Sequence, residues 1–348
     1  MPTAASKTKA AASTTSRSFR EAPVRQRSVV SGDARLQVSR GAVPRCSLGT
    51  MHHRAALWMF GLLAVGSACA GNDDTLVPVP ESVRPNLIAA GFAHTCMLLE
   101  DGSPVCWGAG SIDDPSDQHP HFGQSIAPTT EKFSQIVAGD YHTCGLRTDG
   151  TVRCWGMPSA VSGTPPDSFI GISAGQNSTC GVAGDGARSC WGNTPVADSG
   201  DLHFTEFALG GAMNCGVLLD GSVHCWYGEQ RWEDVPDNVQ QIDAALECAC
   251  GIDDARHVQC WGLECWGMTP PDAEIVQVAV GTQSGCGIAT DQRLVCWGQW
   301  TAPTIGGVAS VAAGTGHACA RTEGHQAFCV GLDQAGETFP PPEWQASP

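Results

Sequence analysis

The sequence predicts an all-β fold assembled from seven copies of one short antiparallel unit. Three observations carry this expectation. Fourteen of the 18 cysteines form pairs ten residues apart: Cys96/Cys106, Cys144/Cys154, Cys180/Cys190, Cys215/Cys225, Cys250/Cys260, Cys286/Cys296 and Cys319/Cys329. The first cysteines of successive pairs are 48, 36, 35, 35, 36 and 33 residues apart, so one unit recurs seven times. Each unit also shares a grammar: an apolar stretch ending in Ala-Gly or a variant, a cysteine, a turn that usually holds Asp-Gly, then Cys-Trp-Gly, from which the seventh unit departs with Val330. Unit two, from Ile136 to Gly156, reads IVAGDYHTCGLRTDGTVRCWG. Period-two patterns around Asp-Gly turns are strand and hairpin signals.

Residues 1–50 come first, rich in Ser, Thr, Ala and Arg, without apolar periodicity or material for a core. They read as disordered or untranslated, with Met51 the expected start. From Met51 the chain has a secretory layout: a polar His52-His53-Arg54, an apolar stretch from Ala55 to Val65, and the small residues Gly66-Ser67-Ala68. The stretch is too short to span a bilayer, so 51–68 is expected to be a signal peptide. Val65-Gly66-Ser67-Ala68-Cys69 resembles a bacterial lipobox, with Gly66 where that pattern prefers Leu. Lipidation at Cys69 is expected, with Ala70 resembling an outer-membrane sorting residue. Ala68-Cys69-Ala70 also fits ordinary cleavage, which would release a soluble periplasmic or extracellular product. Residues 69–84 read as a linker.

The repeats fill residues 85–331, and hairpin geometry explains their constant cysteine spacing. If Thr148-Asp149-Gly150 is a three-residue loop with Gly150 left-handed, Arg147 pairs with Thr151. Counting outward places Cys144 opposite Cys154 at a non-hydrogen-bonded position, where Cα atoms approach to about 4.5 Å. A disulfide across each hairpin is therefore expected, worth about 2–3 kcal/mol. Asp101-Gly102, Asp185-Gly186 and Asp220-Gly221 repeat the turn, while Asp291-Gln292 and Glu323-Gly324 read as looser versions. Zinc would want close pairs such as C-x₂-C, and none occurs. Cys248 and Cys265 stand outside the scheme. An eighth bridge in unit five is expected, with a free or intermolecular thiol, or metal, as the alternatives. The Pro-rich tail, 332–348, is expected to help close the array.

At this point the units resemble the repeats of the regulator of chromosome condensation family. Unit two shows the pattern in order: Ala138-Gly139, His142, Leu146, Asp149-Gly150 and Trp155-Gly156. The resemblance implies a seven-bladed β-propeller, one domain of short three- to four-stranded blades. The eukaryotic exchange factor that names the family has repeats of 50 residues or more ending in a Gly-Gln-Leu-Gly-like stretch. Unit one alone keeps a trace of it, at Phe122-Gly123-Gln124, and paired cysteines are not part of that consensus. The short units are closer to cysteine-containing propellers of exported bacterial proteins. Nucleotide exchange on a small GTPase therefore does not carry over, because fold does not fix function.

Candidate sites are few. His94, His142 and His317 recur around the array, which points to a structural role holding each blade's turn. The tryptophans after the second cysteines are expected to pack between blades. The long first step contains Asp113-Asp114-Pro115-Ser116-Asp117-Gln118-His119-Pro120-His121. Asp113, Asp114, Asp117, His119 and His121 are metal-ligand types, but they lack the spacing of a calcium hand, and a solvated loop without metal is expected. Trp226 to Trp232, Trp300 and Trp344 are candidates for an aromatic contact face. No nucleophile elbow, phosphate loop or zinc-protease motif appears.

Charge narrows the partners. After Arg54 the chain holds 9 basic against 33 acidic residues, which excludes nucleic acid. The reading is a monomeric, non-enzymatic scaffold outside the cytoplasm, touching the membrane through a lipid anchor only. It would bind a protein or surface glycan through inter-blade loops, without cofactor or catalytic residues. The alternatives are an envelope spacer without a ligand, and a lyase- or glycosidase-type enzyme with its site in the central channel.

Overall fold

The computed structural model of the chain describes residues 85–111, 120–193, 196, 200–263, 265 and 268–346. The expected leader, the lipidation residue Cys69 and the linker lie outside these residues. So do Asp113, Asp114, Asp117 and His119 of the insertion.

Each turn sets the register of its unit. The Arg147 N–H donates to the Thr151 carbonyl at 2.9 Å, Gly150 is left-handed at φ 84, and the Asp149 carboxylate accepts from the Thr151 N–H. Cys144 then faces Cys154 directly. The same register places Cys96 opposite Cys106, Cys180 opposite Cys190 and Cys215 opposite Cys225. It also places Cys250 opposite Cys260, Cys286 opposite Cys296 and Cys319 opposite Cys329. All seven pairs are bonded across their hairpins, with Cα atoms 4.0 to 4.1 Å apart. That is closer than the separation of about 4.5 Å expected of such a position. The two cysteines of a bridge differ in setting. The first cysteine of every pair is buried, on a middle strand. Of the second cysteines Cys225 is buried, Cys106, Cys154, Cys260, Cys296 and Cys329 are half-buried, and Cys190 is exposed. The two turns expected to be looser adopt the same conformation as the others. Gln292 (φ 63) takes the place of Gly150 in unit six. In unit seven His325 (φ 61), not Gly324, does so, because the closing bond runs from the Thr322 N–H to the Gln326 carbonyl.

Each unit is one antiparallel sheet whose strands follow chain order. Blade one comprises Ile88–Ala90, His94–Leu98 and Pro104–Gly108, and blade two Gln135–Ala138, His142–Leu146 and Val152–Gly156. Blade three is Gly171–Ala174, Ser178–Val182 and Arg188–Gly192. Blade four is Phe204–Leu209, Met213–Leu218 and Val223–Tyr227, with a fourth strand Gln230–Trp232. Blade five has Val239–Ala245, Cys248–Asp253 and Val258–Gly262; blade six has Ile275–Val280, Ser284–Ala289 and Leu294–Gly298; blade seven has Val308–Ala313, His317–Thr322 and Ala327–Gly331. The first strand of every blade contacts the first strand of the next, and that of blade seven contacts that of blade one, so the sheets form a closed seven-bladed ring. Closure removes the exposed edge an open stack would leave.

Apolar side chains fill the gaps between blades. Trp155 joins Ala89, Leu98, Phe133 and Ile136 between blades one and two, with its ring 5.8 Å from that of Phe133. The tryptophans following the second cysteines are buried in blades one to six. The glycine after the first strand, present in every unit but the fifth, where Leu246 stands, has a steric cause. A Cβ added to Gly139 would lie 2.2 Å from the Gly175 carbonyl oxygen, and one on Gly175 would lie 2.2 Å from that of Gly210. Gly314 stands in the same relation to Gly91, so the loops meet backbone to backbone around the ring.

First strands of neighbouring blades do not share a sheet, so their inward edges would leave N–H groups orphaned. Polar groups of the preceding blade supply the acceptors. Gln135 Oε1 accepts from Ile172 N–H (3.1 Å), Ser173 Oγ from Leu209 N–H (3.0 Å) and Gln241 Oε1 from Val278 N–H (2.8 Å). Gln277 Oε1 accepts from Val311 N–H (3.2 Å), Ser310 Oγ from Leu87 N–H (3.1 Å) and the Asn86 carbonyl from Ile136 N–H (2.8 Å). Glu206 does the same for Ile242.

The tail takes part in closure. The Thr143 hydroxyl and Trp155 Nε1–H of blade two donate to the carbonyl of Gln124, at 3.1 and 2.9 Å. In blade one, Thr95 and Trp107 donate to the carbonyl of Glu337 in the tail, at 3.0 and 2.8 Å. Gly123 and Gly336, each just before the acceptor, are both left-handed. Beyond them Gln345 forms a parallel bridge with Ala327 of blade seven.

Candidate functional site: the channel and one rim

The inward edges enclose a central channel of about 350 Å³. At the glycine end a smaller cavity of about 60 Å³ is lined by Gly91, Gly139, Gly175, Gly210 and Gly314 with Asp140 and Thr315. No Lys, Arg or His lines the channel among the described residues, whereas Glu206 of blade four and Asp243 of blade five both do. Asp243 Oδ2 accepts from Val280 N–H at 2.7 Å. Burial pushes the Asp243 carboxyl up to about 7, against the lowering effect of its backbone donors. Burial pushes Glu206 up to about 8, opposed by its bond from Ile242 and reinforced by the charge of Asp243. Glu206 Oε2 is buried without a hydrogen-bond partner. Burial also raises Asp140, to about 6, while a hydrogen bond from Thr315 lowers it.

The three repeated histidines are buried and structural in geometry, but they do not hold their own turns. Each reaches forward to the next blade. His94 Nε2 bonds Thr143 Oγ1 at 3.0 Å, His142 Nε2 bonds Thr179 Oγ1 at 2.8 Å, and His317 Nε2 bonds Thr95 Oγ1 at 2.8 Å. Burial lowers His94 to about 3, with help from the charges of His317 and His142, and lowers His142 and His317 each to about 4. They are held neutral, as hydrogen-bonding pegs between blades.

Cys248 and Cys265 are bonded to each other, with Cα atoms 5.2 Å apart, as an eighth bridge confined to blade five. Of the five metal-ligand candidates only His121 is described, and it is exposed. Among the described residues, no group of three or more His, Cys, Asp or Glu could hold a metal ion. Trp226 is buried in blade four, Trp232 packs against Tyr227, and Trp344 packs on the cluster between blades seven and one.

A different aromatic group forms instead. Tyr141 lies 5.6 Å from Phe92 and 6.0 Å from Phe122, measured between ring centres. Phe92 and Tyr141 sit in the loops between first and second strands of blades one and two, and Phe122 comes from the insertion. Phe122 is 40% exposed. Sequence reasoning missed this group because its members belong to three separate loops. It also missed Glu206, which stands nine residues before its cysteine, where units two, five and six have Gln135, Gln241 and Gln277.

Residues 133–159 match the regulator of chromosome condensation (RCC1) repeat, so unit two is similar to a repeat of that family. The CRINKLY WD40 ectodomain of the Arabidopsis thaliana receptor kinase ACR4 is similar at 26% identity and TM-score 0.59, covering 72% of this chain and 97% of that one. The ectodomain of the Physcomitrella patens receptor kinase CR4 is similar at 22% identity and TM-score 0.59, over 71% of this chain and 73% of that one. Human WBSCR16 shares the fold at 13% identity and TM-score 0.55, over 68% and 86% of the two chains. No curated protein matches the sequence. Eight disulfides and the likeness to a receptor ectodomain fit an exported protein in an oxidising compartment.

Proposed function

We infer that the protein is a non-enzymatic binding propeller, exported and anchored through Cys69, that holds a protein or surface-glycan ligand on the rim bearing Phe92, Phe122 and Tyr141. The observation carrying this reading is that aromatic group. Three rings from two neighbouring blades and the insertion meet at one rim, with one ring well exposed, on a scaffold cross-linked in every blade. Aromatic side chains at such positions supply large, stiff contact area with little ordering cost. The likeness to the ACR4 ectodomain, a propeller displayed outside the cell by a receptor kinase, supports a binding role.

The test is capture from the envelope and medium of the source organism, using the disulfide-intact chain beside a Phe122→Ala/Tyr141→Ser variant. A partner or glycan held by the native chain and lost from the variant is the expected result. Equal capture by both, or no capture by either, overturns the rim assignment. For the anchor, palmitate labelling should mark the product, and Cys69→Ala should abolish it. An unlabelled soluble product starting at Gly71 contradicts lipidation.

A further inference from the structure

At the junction of blades two and three, Gln135 bridges the next first strand twice: Oε1 accepts from Ile172 N–H, and Nε2 donates to the Ile172 carbonyl at 3.0 Å. Gln241 repeats this on Val278 with the same two atoms. At the corresponding place in blade four stands Glu206. Its carboxyl accepts from Ile242 N–H as the glutamines accept from their partners, but it has no amide N–H for the second bond. Its Oε2 is buried and unpartnered. When this carboxyl is ionised the ring lacks one donor here, at a residue that lines the channel together with Asp243.

An amide would complete the stitch, so the fold does not require a carboxyl at position 206. Asp243 adds a second acid where unit two has Val137 and unit six has Ala279. With no Lys, Arg or His in the lining among the described residues, the pair has no counter-charge there. Two half-buried carboxylates side by side without a counter-charge are costly unless protons or a cation accompany them. The channel volume of about 350 Å³ exceeds what a bare ion fills and lies at the lower end of small-ligand pockets. Beyond the carboxyls its walls include Ala90, Ala138, Ala174 and Val280, which suit a short aliphatic stem. A metal would want more ligands than two carboxyls supply, and no such group stands among the described residues.

We propose that the central channel is a binding site for a small primary amine, its ammonium group held between the Glu206 and Asp243 carboxylates and supplying the donor that Gln135 and Gln241 supply at their own junctions. Binding displaces the protons the pair otherwise holds, so uptake strengthens as pH rises from neutral through about pH 8, where Glu206 ionises. Among the described residues, the other titratable group lining these cavities is Asp140, at the glycine end against Thr315.

Isothermal titration of the full, disulfide-bonded chain with n-butylammonium, in two buffers of different ionisation enthalpy, tests this. One equivalent should bind with proton release, and tetramethylammonium, which has no N–H, should not bind. Glu206→Gln should weaken n-butylammonium by about tenfold or more. That variant is expected to fold, because glutamine already occupies the place in three blades. No heat with n-butylammonium, equal uptake of tetramethylammonium, uptake of calcium in its place, or unchanged affinity in a folded Glu206→Gln variant each overturns the proposal.

Discussion

The ring has two arcs built from the same sequence grammar with different chemistry. From blade seven through blade three, each junction carries a buried His–Thr bond: His317 to Thr95, His94 to Thr143, and His142 to Thr179. From blade three to blade seven the histidine places hold Ser178, Met213, Cys248 and Ser284. The threonine places facing them hold Asn214, Ala249, Gly285 and Ala318. Wherever the histidine is absent, the threonine of the next blade is absent too. A buried hydroxyl stripped of its partner costs about 1–3 kcal/mol, whereas replacing both partners is nearly neutral. The channel carboxyls show the complementary pattern, since Glu206 and Asp243 lie on the arc without His–Thr pairs.

Removing the tail should break the comparison most severely. A chain ending at Asp333 loses the Glu337 carbonyl that Thr95 and Trp107 share. Blade one would then be left with two orphaned buried donors and a seam open to water. Thermal unfolding should show a loss of about 4 kcal/mol or more, or no cooperative transition. A truncated chain melting with the native one would show that closure lies elsewhere.

The paired replacement rule makes a sharper expectation. His142→Ala should cost about 2 kcal/mol by leaving the Thr179 hydroxyl only its contact with Cys144 Sγ at 3.4 Å. His142→Ser with Thr179→Asn, copying Ser178 and Asn214 of the next junction, should recover most of that cost. A double-mutant cycle by denaturant unfolding measures the coupling, and additive losses would remove the rule.

A smaller effect separates the tryptophans. Trp155 Nε1–H donates to Gln124, while Trp191 Nε1 and Trp297 Nε1 are buried without partners. Trp155→Phe should therefore cost about 1 kcal/mol more than Trp191→Phe, beyond the packing lost in both. Equal losses would mean that the Gln124 bond adds nothing.

Much of this was legible in the sequence because it is local and repeated. Counting outward from the turn was enough to set the hairpin register and all seven ten-residue bridges, and the Ala-Gly and Cys-Trp-Gly steps marked the seven blades. The role of the tail was less legible. Gly336-Glu337 stands where Gly123-Gln124 stands one junction on, but the two share only the glycine and an acidic or amide neighbour, and Glu337 meets its partners 242 and 230 residues back in the chain. The histidines were read as structural, yet their partners lie in the next blade, a contact no single unit displays. Glu206 could have been found by aligning units at the ninth residue before the cysteine. The rim group of Phe92, Phe122 and Tyr141 could not, because it depends on how an insertion folds over two blades.

The two arcs should also oppose each other in their response to pH. His94, His142 and His317 are held below their ordinary value of 6.5. Their contribution to stability is complete above that value and is lost as pH falls toward 4 and below. On the other arc Asp243 and Glu206 are held above theirs, at about 7 and 8. Their contribution is complete at low pH and is lost as pH rises through 7 to 8. The most direct measurement is the imidazole ¹⁵N shifts of the three histidines, assigned by single substitutions and followed from about pH 8 to about pH 4.5. All three rings should stay neutral across that range. A ring among them that takes up its proton near its ordinary value would contradict the buried His–Thr pegs, and with them the two-arc account of the ring.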